Sequence, residues 1–501
     1  MDSASKHFAR SYFFVFGASV LLYALTCADG SLWQDSGMIQ YRVWHNDIEG
    51  GLGLALAHPL FYLIAIAAKS FPLGEFGFRV NLVSALCGAI TVGNIFLLLR
   101  LVCGRVFPAI IGAVTLGLSW TFWRHCAIAE TYVLYTAIFS AELIFLFLYF
   151  KEQKAGFLYL TAFLNGLSIS NHLFGILPLA CYIVLALFLV CRREVKFGQL
   201  LIMVLVWAVG CLPYEVLIVR ELMSTGDLAV TVRSALFGTY RKAVLNAALD
   251  GTIVKQNFMF FGLSFPTPNI LLFFAGLFGV YKAVKSRAFA NMLLAMTGIF
   301  LVFAFRYTVA DRYAFFIPFY CLACVFTGIG CWRFVERFQK KYIVVAISIF
   351  SVLPVMVYFA VPKLAERMKV SLGTKRQIPY RNEYAFFLRP WQRGNNSPKR
   401  FVNETFKTLE DNSVIIADGT TVYPLWYGQQ VLGLREDVKI ISQHGSYKNP
   451  MEFVTEETLD RLLAERSVYV VSAVKRYCPK FILDNYDLTE AGPVYKVRRK
   501  E

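Results

Sequence analysis

The chain has 501 residues, of which 57% are hydrophobic and 17% charged, with a formal net charge of +17. Charged residues fall well short of the roughly 25% usual in soluble globular domains, and 46 Phe, 26 Tyr and 8 Trp exclude a disordered chain. A polytopic membrane protein remains, and its basic residues sit in short clusters between apolar runs rather than in an aromatic-interleaved stripe, so no nucleic-acid partner is expected.

A bilayer core of about 30 Å takes roughly 20 apolar helical residues. Eleven stretches qualify, give or take about two: 11–28, 80–102, 107–123, 131–150, 156–170, 173–191, 198–218, 268–283, 289–306, 313–332 and 341–361. The first has Lys6 and Arg10 before it and no clean small-residue cleavage site after it, so it reads as a retained signal-anchor. With the N-terminus in the cytoplasm, the cytoplasmic links are short basic turns. They carry Arg100 and Arg105; Lys151 and Lys154; Arg192, Arg193 and Lys196; Lys282, Lys285 and Arg287; and Arg333, Arg337, Lys340 and Lys341. Three long segments then face the other compartment: 29–79, 219–267 and the tail 362–501. The organisation expected is a bundle over 1–361 and a soluble extracytoplasmic domain over 362–501.

The first long loop holds its own apolar run, Leu52 to Ala68, broken by His58-Pro59 and short for a span. It reads as a helix lying in the membrane interface. The span centres are nearly free of charge, whereas a transporter more often buries charges at mid-membrane. In the tail, Ser413 to Asp418 reads as a buried strand, Thr420 to Leu432 as a helix and Val438 to Ser442 as a second strand. Thr455 to Ala464 follows as a helix and Ser467 to Ser472 as a third strand. This βαβ pattern favours parallel pairing, and no Gly-rich phosphate loop accompanies it. Ten of the 11 cysteines lie in or at the ends of apolar runs and only Cys478 is in the tail, so no disulfide forms within the tail. Cys321 and Cys324 form a CxxC inside a span, without metal-site context, and read as packing residues.

Five polar clusters fall on the extracytoplasmic side. Asp35 follows the first span, where a carboxylate serves either as general base on an acceptor hydroxyl or as a cap of the next helix. His58 on the interfacial helix is placed to donate to a phosphate, to bind a metal or simply to pack. Glu130 at the end of a span needs a partner or water, and Arg124 is near in sequence. Asn171-His172 sits in a tight turn. Arg306 and Arg312 flank Asp311 at the headgroup level, where guanidinium groups suit a phosphate or anchor the chain. Asp418 reads most simply as a helix cap. Nucleotide sugars are cytoplasmic, so an activated group available on the far side arrives on a lipid carrier.

Several motifs carry a resemblance. In order they are Asp35-Ser-Gly, Ala57-His58-Pro59-Leu60, Arg79-Val-Asn81-Leu-Val-Ser84-Ala85, Ile128-Ala-Glu130-Thr-Tyr132, Gly166-Leu-Ser-Ile-Ser-Asn171-His172, Asp311-Arg312-Tyr313 with Pro318, and Ala417-Asp418-Gly419 with Tyr423-Pro-Leu-Trp-Tyr427. The chain resembles the membrane glycosyltransferases of the GT-C superfamily, and within it the transmembrane protein O-mannosyltransferase family. It departs where that family often has His-Pro-Pro-Gly-Tyr-Pro and, in the tail, an acidic Asp-Asn-Asp run. The resemblance implies a GT-C-like polytopic α-helical bundle with a C-terminal extracytoplasmic α/β domain. It implies transfer of a hexose, mannose among the candidates, from a polyprenyl-phosphate carrier to a protein hydroxyl or glycan acceptor, with inversion. Asp35 and Glu130 become the expected catalytic pair. His58, Arg79, Asn171, His172, Arg306 and Arg312 become the expected donor-phosphate and substrate set. No cofactor is required by the sequence; members of the superfamily differ in using a divalent cation, and its ligands stay unassigned. The partners expected are the lipid-linked donor, the acceptor and the bilayer, most simply a bacterial inner membrane. A transporter or flippase for lipid-linked glycans and a membrane scaffold presenting the tail are the alternatives.

Overall fold

The computed structural model describes residues 3–246, 248, 250–309, 311–374, 376–442 and 454–500. A long first helix, α1 (Ser3–Thr26), leads into α2 (Gln34–Trp44), the short α3 (Pro59–Ala68) and α4 (Phe76–Cys103). Next come α5 (Val106–Gly117) and α6 (Trp120–Cys126), bent by 71° where they meet. The bundle continues with α7 (Tyr132–Glu152), α8 (Ala155–Asn171), α9 (Ile176–Cys191) and α10 (Phe197–Thr225). Three shorter helices, α11 (Leu228–Phe237), α12 (Arg241–Leu245) and α13 (Gly251–Ser264), precede α14 (Leu271–Ala283). It closes with α15 (Arg287–Arg306), α16 (Ile317–Phe338) and α17 (Lys341–Arg367).

Among the described residues, eight helical segments are long and apolar enough to cross a bilayer, or ten if each of two bent pairs is one span. The expected span 107–123 is one bent pair. The expected span 268–283 is the second leg of the other, which turns by 108° after α13. Pro266 and Pro268 explain that turn, because neither supplies the backbone N–H a continuing helix needs. Residues 156–170, also expected to span, form α8, which has 17 residues. That helix crosses α10 with backbones nearly touching. A Cβ on Gly166 would come within 2.2 Å of Trp207 O, and one on Gly210 within 2.3 Å of Phe163 O, so only glycine permits this crossing. Helix α16 runs through the middle, with Ile317 to Cys331 buried throughout. Exposed apolar side chains such as Phe14, Phe197, Met223 and Phe278 face outward, as a hydrocarbon solvent requires.

The span centres hold one charge-bearing group that matters. Glu142, in the middle of α7, is fully buried. It accepts from Ser168 Oγ, from Tyr182 OH at 2.9 Å and from Asn165 Nδ2 at 3.5 Å. The carboxyl thereby ties α7 to α8 and α9 with bonds that no surrounding lipid could replace.

Helix α17 continues to Arg367, past residue 361, before the chain enters the α/β unit. There α18 (Glu383–Leu388), α19 (Ser397–Thr408), β1 (Val414–Ala417), α20 (Val422–Gln430), β2 (Lys439–Ser442), α21 (Glu456–Glu465), β3 (Val468–Val470), α22 (Lys480–Asn485), β4 (Tyr486–Ala491) and β5 (Val494–Arg499) follow in turn. The sheet order is β2-β1-β3-β5-β4. β1 lies parallel between β2 and β3, as the βαβ pattern implies, with Ile415 opposite Ile440 and Tyr469. The hairpin β4–β5 adds antiparallel strands the sequence pattern did not suggest. Asp418 is not the N-cap of α20, a place Thr421 takes. Its carboxylate accepts from Thr420 N at 2.8 Å and forms a buried ion pair with Arg376 at 2.5 Å.

Candidate active site

Helix α2 has two working faces. Asp35, Met38, Ile39 and Arg42, spaced i, i+3, i+4 and i+7, line a cavity with about 730 Å³ of empty space. The other face packs on α20 of the α/β unit. Gly37 is needed there, because a Cβ would meet Leu32 O at 2.4 Å and Tyr423 Cβ at 2.9 Å. Tyr41 stacks on Trp426 with centroids 4.8 Å apart. Trp33, the residue preceding α2, donates its indole N–H to Ser397 Oγ at 3.0 Å and packs on Phe401. Gln34 N donates to Thr420 O at 3.4 Å. The helix bearing Asp35 is therefore clamped between the bundle and the α/β unit.

The other walls come from distant segments. Glu130 and Asp311 line the same cavity, together with His58, Tyr62, Tyr132, Tyr240 and Tyr307. Ser36 Oγ donates to Glu130 Oε1 at 3.0 Å. The Glu130 backbone is held by Ser84 on α4, whose Oγ donates to Glu130 O and accepts from Glu130 N, both at 3.0 Å. Asn81, one turn earlier on α4, donates to Ala28 O and accepts from Gln40 Nε2. The Arg79–Ala85 motif thus fixes the cavity's frame from behind. Arg79 belongs to that frame too, donating to Lys69 O and, at 2.9 Å, to Phe71 O rather than lining the cavity.

Three carboxyls around one enclosed space cannot all ionise cheaply. Asp35 is accessible to the cavity, yet protein surrounds the cavity on most sides. That desolvation, with Asp311 adding repulsion, pushes Asp35 up to about 6. Desolvation, then the Asp35 and Asp311 charges, hold Glu130 well above the usual carboxylate range, and burial raises Asp311 as well. Asp35 lies in the first turn of α2, where the helix dipole favours its anion. Of the two carboxyls expected to carry the chemistry, Asp35 ionises more readily than Glu130.

His58 sits in a left-handed conformation, φ 53°, between a 3-10 turn (Leu54–Leu56) and α3, with Pro59 at the first helical position. Its Nδ1 lies 2.7 Å from Asn171 O, so Nδ1 carries the proton and Nε2 of the neutral ring is an acceptor. Desolvation holds the ring down to about 4, with the Asn171 carbonyl opposing and Arg42 adding to the effect. Of the roles open to His58 in the sequence, this tautomer leaves Nε2 as an acceptor towards the cavity. His172 stacks on His58 with centroids 4.9 Å apart, and its Nδ1 accepts from Phe174 N at 3.1 Å. Burial and the neighbouring His58 keep it well below the usual range. Asn171 donates to Thr131 O at 3.0 Å, one residue from Glu130.

Of the expected site residues, the fold brings Asp35, His58 and Glu130 to the cavity and sets Asn171 and His172 behind His58. Arg306 donates to Val244 O and Asn246 O, each at 2.8 Å, and Arg312 to Asn257 Oδ1 at 3.2 Å and to Gln256. Both lie outside the cavity wall. The cation that does line it is Arg42, 1% exposed, with its guanidinium 3.7 Å from the Tyr62 ring and its Nε 3.8 Å from Asp47. Arg42 went unread in the sequence, although its spacing of seven from Asp35 was the signal. Asp35, Glu130 and Asp311 are the groups chemically suited to a divalent cation. Among the described residues, however, no group of three His, Cys, Asp or Glu side chains is arranged to hold one ion.

Comparison with known proteins bears on the fold and the family resemblance. Residues 55–196 match the family model described as the Protein O-mannosyl-transferase TMEM260 N-terminal domain. The mouse Protein O-mannosyl-transferase TMEM260 is 28% identical over 221 residues, 42% of this chain. The match takes in 30% of that relative, so the chain spans less than a third of its length. ArnT from Cupriavidus metallidurans superposes at 14% identity both bound to undecaprenyl phosphate and in the apo state. The TM-scores are 0.59 and 0.55, covering 97% and 99% of this chain and 97% and 98% of ArnT. The Archaeoglobus fulgidus oligosaccharyltransferase in complex with Zn and sulfate gives 0.50 at 12% identity, covering 97% of this chain and 73% of that one. The chain has the GT-C fold of membrane glycosyltransferases, and in sequence it resembles the O-mannosyltransferase family.

Proposed function

We propose that this chain is an integral-membrane glycosyltransferase. It moves a hexose, mannose among the candidates, from a polyprenyl-phosphate carrier to a hydroxyl of a protein or glycan acceptor. The observation that carries this is the carboxyl-lined cavity walled by α2, α3 and the segments around Glu130 and Asp311, with Asp35 on its wall. A flippase would place its polar groups along a path through the membrane, whereas these gather at one end. The O-mannosyltransferase resemblance, the ArnT superposition and its bound undecaprenyl phosphate support the donor class.

In this reading the Asp35 carboxylate takes the proton of the acceptor hydroxyl as its oxygen attacks the anomeric carbon. The bond from that carbon to the phosphate oxygen breaks, and the electron pair leaves with the polyprenyl phosphate. One displacement inverts the anomeric centre. Glu130, biased towards its neutral form, donates a hydrogen bond to the sugar, and His58 Nε2 accepts one. Arg42 supplies positive charge at the wall for the leaving phosphate. Arg306 and Arg312 brace the backbone and side chains of Val244, Asn246, Ile253 and Asn257, while Arg79, Asn171 and His172 position α3 and His58.

The basic short links support a cytoplasmic N-terminus. The cavity and the α/β unit, 362–501, then face the extracytoplasmic side, in a bacterial inner membrane. The test incubates purified protein with a panel of radiolabelled polyprenyl-phosphate hexoses and candidate acceptors, with and without EDTA. Labelled product from one donor supports the reading, and loss of product in EDTA restored by Mn²⁺ adds a cation to it. No product from any donor, with lipid-linked glycan moving between leaflets instead, contradicts it.

A further inference from the structure

A second cavity, with about 790 Å³ of empty space, opens where the bundle meets the α/β unit. Its chemistry is the reverse of the first. Arg381, Arg389, Arg393 and Arg400 line it, and no carboxylate does among the described residues. Two of the four are matched: Arg381 pairs with Glu383 through two bonds of 2.8 Å, and Arg393 with Asp29 at 2.8 Å. Arg389 and Arg400 have no ion pair among the described residues, and the Arg400 guanidinium lies 4.4 Å from the Tyr380 ring.

Donors without acceptors mark the site further. The Arg381 side chain is 5% exposed, yet its Nη1 has no hydrogen-bond partner, and the buried Nε of Arg389 has none either. Protein interiors seldom leave such groups unpaired. Helix α19 starts at the same wall with Asn396 and Ser397, and Asn396 makes no side-chain cap. A 12-residue helix thus brings its positive end to the four guanidiniums. The depth is interfacial. Gln392 N and Arg393 N donate to Thr26 O, the last residue of α1, at 2.9 and 3.0 Å. Trp391 packs on Phe359 of α17 with centroids 4.4 Å apart.

We propose that this cavity binds a phosphate ester, as a site separate from the carboxyl-lined cavity. Phosphate matches the guanidinium fork and offers acceptors to Arg381 Nη1 and Arg389 Nε. Its occupant bridges α18 and α19 within the α/β unit, beside the segment that bonds to the end of α1. The chemistry is shared by the headgroup of an acidic lipid and by a soluble phosphate.

The experiment titrates the purified full-length protein in detergent with dihexanoyl phosphatidic acid, inorganic phosphate and, lacking phosphate, dihexanoylglycerol. It reads binding by calorimetry and the melting temperature by intrinsic fluorescence. R389Q, R400Q and the double variant are compared with the native chain; Arg381 is left alone because it also holds Glu383. Saturable binding of the phosphatidic acid, with a rise in melting temperature and at least tenfold weakening in the double variant, supports a lipid headgroup site. Inorganic phosphate binding as tightly, with the same loss, supports the site and assigns it to a soluble anion. If R400Q melts early without ligand, the R389Q titration alone decides. Binding that is absent for both phosphates, unchanged in the variants, or equal for dihexanoylglycerol overturns the proposal.

Discussion

Ser36 Oγ donates to Glu130 Oε1 at 3.0 Å, so the neighbour of one cavity carboxyl in sequence fastens the other in space. The bond favours the Glu130 anion against burial, which otherwise drives that group towards its neutral form. Ser36→Ala removes the one side-chain hydrogen bond to this carboxyl among the described residues and loosens Glu130. A loss of about 1 kcal/mol, or roughly fivefold to tenfold in kcat/KM for transfer, is expected. Steady-state kinetics with the labelled donor measure it.

The pH profile follows from Asp35. Its folded-state value is raised to about 6, so it is neutral and unable to accept a proton below that pH and ionised above it. Transfer should therefore rise as pH increases through about 6 and level off towards neutrality. His58, already neutral above about 4, contributes no change in that window. A profile of kcat/KM from pH 4.5 to 8 shows this limb, and a flat one counts against Asp35 as the base.

The α/β unit should matter to catalysis without touching substrate. Trp426, 8% exposed, stacks on Tyr41, which lies on the back of the helix that presents Asp35. Trp426→Ala opens a void there at a cost of about 3–5 kcal/mol and frees α2 to shift. A lower melting temperature together with reduced kcat is expected, and Trp426→Phe should recover most of both. Thermal unfolding in detergent and transfer assays on the two variants check this.

Glu142 tests the bundle's polar core. Glu142→Gln keeps one oxygen to accept from Tyr182 and Asn165 and turns an NH2 towards Ser168, whose hydroxyl can rotate to accept, whereas Glu142→Leu leaves buried donors unpaired. The leucine variant should lose about 2–4 kcal/mol, and the glutamine variant less than half of that. Melting temperatures of the two purified proteins decide the order.

The membrane class, most helices and the parallel part of the sheet were legible because they follow from period and length alone. The broken spans were not: the 108° turn after α13 depends on where two prolines fall relative to packing, which a run of apolar residues hides. Asp35, His58 and Glu130 could be read as extracytoplasmic polar residues, and the cavity gathers them. Arg42 was missed because a lone arginine in a helix reads as surface, although α2 buries it against Tyr62. Arg306 and Arg312 were singled out by spacing to Asp311, but each spends its donors on carbonyl and amide oxygens of the segment 244–257. Side-chain direction after a span is set by tertiary contacts, and spacing along the chain does not carry it.

The most direct measurement compares native protein and Asp35→Asn in a single-turnover assay with the active polyprenyl-phosphate hexose. Asparagine keeps the shape of aspartate and cannot take the acceptor's proton. The variant should insert, melt and bind donor like the native chain while transferring at least 10²-fold more slowly. Transfer at the native rate would show that the cavity's chemistry does not run through Asp35.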